Sequence, residues 1–198
     1  MRSSIERIRK DIERLAVFTA TPGAGVTRYS FSEEDRNARA YIRREMEDAG
    51  LRTYEDGAGN LFGRRDGRTN DAPPVMVGSH FDSVPNGGAF DGDAGVSTAL
   101  EIARILRDER ITTERPMEFA ALVEEEGARF ACGLYGSRAM TGLLGEAHLD
   151  TFTDRDGGTL RTVLRDFGFA PERFTTARRE PGSIAAFLEL HIEQGPVL

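Results

Sequence analysis

The chain has 198 residues and a net charge of −7, from 33 acidic and 26 basic side chains. That length supports one domain with a sizeable core or a part of something larger. The acidic balance argues against nucleic acid or an anionic membrane, both of which need a basic face, and leaves small molecules as the expected partners. Lys10 is the only lysine, and the arginines are scattered. Cys132 is the only cysteine, so an intramolecular disulfide and a thiolate metal cluster are excluded, and any metal must be held by nitrogen and oxygen. Residues 1–15 are charged throughout and no apolar run reaches membrane-spanning length, so a soluble cytoplasmic protein is expected.

Ser3 and Glu6 read as a capping box opening an amphipathic helix from residue 4 to about 19, with Ile5, Ile8, Ile12 and Leu15 on one stripe. Thr21-Pro22-Gly23-Ala24-Gly25 ends it. A second helix is expected over 33–49, with Ala38, Ile42, Met46 and Ala49 inward and Gly50 just past its end. Two short strands follow at 51–55 and 60–65, separated by Gly57-Ala58-Gly59. Pro74-Val75-Met76-Val77 reads as a buried strand leading to His80. Next come a helix over 94–108 capped by Asp93, a strand over 117–123, helical pieces near 137–144 and 160–167, and a last strand over 185–192. Helices alternating with buried strands indicate an α/β fold with a mixed, mostly parallel sheet flanked by helices.

Three strands in this layout end in polar clusters: His80 with Asp82, the run Glu124-Glu125-Glu126, and His191 with Glu193 and Gln194. Strand ends converge at one edge of such a sheet, so these clusters can share a site. Asp82 lies two residues beyond His80 on the same strand face, suited to accept one ring N–H while the other nitrogen binds a metal. Asp91 arrives on a glycine-bracketed loop as a carboxylate able to bridge two cations. A triple glutamate is ordinarily a solvated charge run, but this one ends an apolar strand and precedes Gly127. Strict alternation pairs Glu124 with Glu126 on one face, whereas a turn at Gly127 lets Glu125 and Glu126 both reach the site. His80, Asp91, Glu126 and His191 form a mixed nitrogen and oxygen set suited to zinc, manganese, cobalt or nickel rather than calcium. His148, in a polar stretch, is expected to be a solvated loop residue. A phosphate-loop lysine motif, a dinucleotide fingerprint and a Gly-x-Ser-x-Gly elbow are all missing.

The segments running from Gly78 to Gly88, Phe90-Asp91-Gly92, Glu124 to Phe130, Gly136-Ser137-Arg138 and His191-Ile192-Glu193-Gln194-Gly195-Pro196 resemble the hydantoinase/carbamoylase branch of the binuclear zinc-peptidase superfamily. That branch includes N-carbamoyl-L-amino-acid hydrolases and allantoate amidohydrolases. Weaker matches around Ala38-Arg39, Ala49-Gly50-Leu51 and residues 59–64 extend the likeness over nearly the whole chain. The resemblance implies a zinc-peptidase-like catalytic domain with two divalent ions (Zn, Mn, Co or Ni). His80 and His191 would bind one ion, Asp91 would bridge both, and Glu126 would bind the second. Glu125 would be the general base, Asp82 the partner of His80, and Gln194 a substrate contact. The implied reaction is hydrolysis of a linear ureido or carbamoyl C–N bond, giving an amino acid, ammonia and carbon dioxide from an N-carbamoyl-L-amino acid. Allantoate hydrolysis and a related metallopeptidase or aminoacylase activity are alternatives.

Members of that branch continue past the His191 motif through a smaller lid and dimerisation domain, then return with one more histidine for the second metal. On the resemblance, residues 1–198 are the amino-terminal segment of an incomplete catalytic domain, lacking the lid and the final catalytic segment. The parent is expected to be a homodimer and the chain alone inactive or impaired. A non-catalytic metal-binding or interaction module is the reading from a different class. Metal titration separates the two, because two tight ions with turnover support the enzyme.

Overall fold

Helix α1 (Ile5–Ala16) is capped by Ser4 rather than the expected Ser3, and it ends three residues before the expected boundary. The reason is tertiary: the Ser4 amide donates to Glu101 Oε1 at 2.7 Å, which leaves the Ser4 Oγ free to accept the Arg7 amide. Ile12 and Leu15 are buried, but Ile5 is 61% exposed and does not join the core. Helix α2 (Glu33–Asp48) is capped by Ser32, and the expected inward set Ala38, Ile42, Met46 and Ala49 is buried. Gly50 follows at φ 81°, the left-handed conformation that closes such a helix.

The remaining elements are strands β1 (Arg52–Glu55), β2 (Leu61–Arg65) and β3 (Val75–His80), helix α3 (Asp93–Asp108), strand β4 (Met117–Leu122), helices α4 (Tyr135–Met140) and α5 (Leu160–Phe167), and strand β5 (Ala186–Leu188). Residues 2–194 are described in this computed structural model. One five-stranded sheet has the order β1-β2-β4-β3-β5. β3 is parallel to both β4 and β5, while the β1–β2 and β2–β4 pairings are antiparallel. β1 therefore points the same way as β3, β4 and β5, and β2 alone runs against them. This is the mixed, mostly parallel α/β sheet that the alternation of elements predicts.

Two further expectations need correction. Asp93 does not cap α3: Gly92 holds that position without a side-chain bond, and the Asp93 carboxylate turns inward to the buried Arg28 guanidinium. The last strand keeps only three of its eight expected residues. Beyond Leu188 the pairing changes from backbone to side chain, since Ser79 Oγ donates to Glu189 Oε1 at 2.6 Å. The first turn of α3 also presses in there, because a Cβ on Gly95 would lie 2.4 Å from the Leu190 carbonyl. Two 3-10 helices, Glu146–Asp150 and Pro171–Ala177, lack the length to show a period in the sequence.

Strand alternation divides the sheet into two unequal faces. Leu61, Val77, Phe119 and Ala121 face the large core shared with α1, α2 and α3. Phe62, Met76, Ala120 and Leu122 face a smaller cluster completed by Met140, Tyr54 and Ile184. A cavity of ≈ 340 Å³ opens beside this thin second layer, lined by Met76, Leu122, Met140, Ile184 and Phe187 among others. None of the expected metal ligands lines it. Among the described residues no helix is long and apolar enough to cross a membrane.

Candidate metal centre

His80 is the last residue of β3 and is 1% exposed. It is held against the start of α3 by Gly92, whose φ of 64° is left-handed and whose added Cβ would lie 2.6 Å from the imidazole. Any side chain at Gly92 would therefore displace the ring. On the other side, His80 Nδ1 lies 3.1 Å from the Asp82 backbone carbonyl and 3.6 Å from Asp82 Oδ1. The ring is thus oriented by the backbone of Asp82 as well as by its carboxylate.

The Asp82 carboxylate has a further task. Oδ1 accepts the Glu125 amide at 3.0 Å and Oδ2 accepts the Glu126 amide at 3.1 Å. Charge-assisted bonds of this kind are stronger than neutral ones, so Asp82 pins the β4 exit to the β3 exit. The chain turns three residues earlier than Gly127: Glu124 takes φ 51°, which carries Glu125 and Glu126 together toward His80. Glu124 itself points inward, and its Oε1 accepts the amides of Arg129 and Phe130 at 3.1 and 2.9 Å. Burial first, and then the Asp82 charge, push the Glu124 carboxyl up to about 7.

Two donor groups result, His80 with Asp91 and His191, and His80 with Glu125 and Glu126, each with its ligand atoms within 4.8 Å of one another. The first is a triangle: Nε2 to Nε2 of the histidines is 3.1 Å, His191 Nε2 to Asp91 Oδ1 is 3.2 Å, and His80 Nε2 to Asp91 Oδ1 is 3.5 Å. Tetrahedral ligation with bonds of about 2.0–2.2 Å needs edges of about 3.3–3.6 Å, so the triangle is close to what a small divalent ion requires. Asp91 Oδ1 and Glu126 Oε1 are buried without a hydrogen-bond partner, a costly state that a cation would relieve. The donors present therefore fit a metal.

The electrostatics agree with that fit. Burial alone pulls the His80 imidazole down, but the Asp82 and Asp91 carboxylates outweigh it and raise the group to about 11. A proton on His80 thus supplies positive charge that the acidic cluster needs. His80 in turn holds the Asp91 carboxyl below its ordinary value, whereas burial and the Asp91 charge push Glu126 up. Glu125 is also raised, by burial first; it is 33% exposed, with Oε2 3.8 Å from His80 Nε2.

His191 reaches the triangle from the segment after β5, and its Nδ1 lies 2.9 Å from the Ile192 carbonyl. Gln194 Nε2 donates to Asp91 Oδ2, so in this state it touches a proposed ligand instead of standing free toward open space. Gly195 and Pro196 of the same motif lie outside the described residues. His148 is exposed on a 3-10 helix, with its Nδ1 against the Gly145 backbone, and belongs to neither donor group. Sequence reasoning missed Arg28, Ser79 and Glu189. Arg28 carries no local signal in a chain rich in scattered arginine, and the Ser79–Glu189 bond spans 110 positions.

Parallel strands delivering histidines and carboxylates to one edge define a metallopeptidase-like scaffold, and the model for Peptidase family M28 matches residues 60–157. That stretch includes His80, Asp91, Glu125 and Glu126. N-carbamoyl-L-amino-acid amidohydrolase of Paenarthrobacter aurescens is 46% identical over 197 residues, covering 100% of this chain and 48% of the relative. Allantoate amidohydrolase of Bacillus subtilis (strain 168) is 38% identical, covering 94% and 45%. The crystal structure of a hydantoinase/carbamoylase family amidase from Burkholderia ambifaria superposes with a TM-score of 0.90 at 39% identity, covering 98% and 46%. This chain belongs to the hydantoinase/carbamoylase family of amidases. It spans about half the length of the curated relatives it matches.

Proposed function

We propose that the chain carries the metal centre of an amidohydrolase that cleaves a linear ureido or carbamoyl C–N bond, with N-carbamoyl-L-amino acids as substrates. The observation that carries this reading is the triangle of His80, Asp91 and His191 beside the turn bearing Glu125 and Glu126. In this reading His80 and His191 hold one divalent ion, Asp91 is shared, and Glu126 holds a second; zinc, manganese, cobalt and nickel all suit the donors. Such ions, when bound, polarise a carbonyl and lower the pKa of water toward about 7.

The remaining chemistry belongs to the side chains. Glu125 is one-third exposed and lies 3.8 Å from His80 Nε2; it is assigned the general-base role: its Oε takes a proton from the attacking water and gives it to the departing nitrogen. Asp82 positions Glu125 and Glu126 through their amides. Gln194, whose amide reaches Asp91 Oδ2, would be the substrate contact beside the ions. The products are an amino acid, ammonia and carbon dioxide.

Residues 1–198 are read as the amino-terminal segment of the catalytic domain, with a lid and a final catalytic segment belonging to the whole protein. A homodimeric, cytoplasmic whole protein is part of the same reading. The likeness to allantoate amidohydrolase supports a second ureido substrate, allantoate. The deciding experiment is Glu125→Gln in the full-length protein. Metal content is expected to stay at the wild-type level, while turnover of N-carbamoyl amino acids and allantoate falls by about 100-fold or more. Undiminished turnover would remove Glu125 from its role.

A further inference from the structure

Residues 26–31 join α1 to α2 with no regular structure beyond one isolated bridge, yet they touch the loops carrying His80, Asp91 and Glu125. Val26 and Gly87 exchange backbone bonds of 2.9 and 2.8 Å, and the Asn86 amide donates to Thr27 Oγ1 at 2.8 Å. Ser83 and Arg28 are joined twice: the Ser83 amide donates to the Arg28 carbonyl at 3.1 Å, and the Arg28 amide donates to Ser83 Oγ at 2.9 Å. Ser30 Oγ accepts the Glu124 amide at 2.9 Å, one residue before Glu125.

Arg28 is the centre of this contact. It is 1% exposed, and each of its three guanidinium nitrogens donates a hydrogen bond. Nε donates to the carbonyl of Phe81, the residue between His80 and Asp82, and Nη2 donates to Asp93 Oδ2 at 2.6 Å. Nη1 is shared between the carbonyls of Leu15 and Phe18. The Asp93 amide in turn donates to the Asp91 carbonyl at 2.6 Å. One rigid cation therefore bonds the residue after His80 and the residue two past Asp91. Burying a charge is costly, and an apolar side chain of similar volume would fill the same space more cheaply. What an apolar chain lacks is a planar fork that fixes two acceptors at once, and lysine lacks it too.

We propose that Arg28 is a positioning residue of the metal centre, fixing the spacing between the turn that carries His80 and the turn that carries Asp91. The inference rests on the metal-centre reading above and deepens it. The test is cobalt(II) titration of the full-length protein, followed by its visible spectrum and by chelator competition, with thermal unfolding of the metal-free proteins as the folding control. Arg28→Lys is expected to unfold cooperatively but to bind cobalt(II) about 10–100-fold more weakly, with an altered visible band. Ser83→Ala keeps the charge and removes one brace, and a several-fold loss is expected. If Arg28→Lys has no cooperative transition, Ser83→Ala decides: weaker binding with an altered band supports the brace, and wild-type binding overturns it. Wild-type affinity and spectrum in a folded Arg28→Lys overturn the inference alone. No cobalt(II) uptake by the wild-type protein overturns the metal reading and the inference together.

Discussion

His80 and His191 face each other across 3.1 Å, but their surroundings differ sharply. His80 is 1% exposed, with Gly92 on one side, Asp82 on the other, and the carbonyl of its neighbour Phe81 held by Arg28. His191 is 34% exposed and follows a three-residue edge strand whose last backbone pairing ends at Leu188. Its approach is secured mainly by the Ser79–Glu189 bond and the close passage of Leu190 over Gly95. The first arm is fixed by the core, and the second is tethered at the edge. Preorganisation thus lies in the arm that carries most of the carboxylates.

The largest test of that contrast is to remove each imidazole in turn. His80→Ala is expected to weaken divalent-metal binding by more than about 100-fold, because both donor groups share His80, while His191→Ala weakens it by about 10-fold. Equal losses in calorimetric titrations would break the comparison. A smaller effect isolates the tether: Glu189→Ala should cost about 3- to 10-fold in metal affinity while moving folding stability by less than about 0.5 kcal/mol. Glu189→Gln keeps the acceptor for Ser79 and should bind like the wild type. A loss in the Gln variant equal to that in Ala would show that charge, not the tether, matters at this position.

A separate test, read in folding stability rather than metal affinity, concerns the buried arm alone. Glu124 has a folded-state pKa raised to about 7 from an ordinary 4.5. Its neutral form is favoured in the fold, so its contribution is fully present below pH 4.5 and lost as pH rises through 7. Metal-free wild type should therefore lose up to about 3 kcal/mol across that window relative to Glu124→Gln, whose amide oxygen can still accept the Arg129 and Phe130 amides. Thermal melts of both proteins at pH 5 and pH 7.5 measure the difference. Parallel pH profiles would remove Glu124 as the source.

The sequence revealed the donors better than the supports. His80, Asp91, Glu125, Glu126 and His191 stand beside strand ends and glycine turns, where period and punctuation make them visible. The strand leading to His80 was legible because its apolar run is short and continuous, and α2 because four inward residues keep helical spacing. The turn at Glu124 was not, since a left-handed glutamate has no sequence signature. Arg28, Ser83 and Asp93 were hidden for a different reason: each acts through partners more than 50 positions away. Asp93 even offered a plausible local role as a cap, which the buried arginine overrode. Ser3 lost the cap position in the same way, to Ser4, whose amide donates to the distant Glu101 carboxylate.

The 111 positions between His80 and His191 also set an order of events during synthesis. At about 5–20 residues per second, the second imidazole follows the first by roughly 6–22 s. During that interval the emerging chain gains His148, but that imidazole belongs to neither donor group, so the triangle at His80 stays open until His191 is made. Two imidazoles 3.1 Å apart in space are thus among the most widely separated partners along the described chain, and their contact closes late.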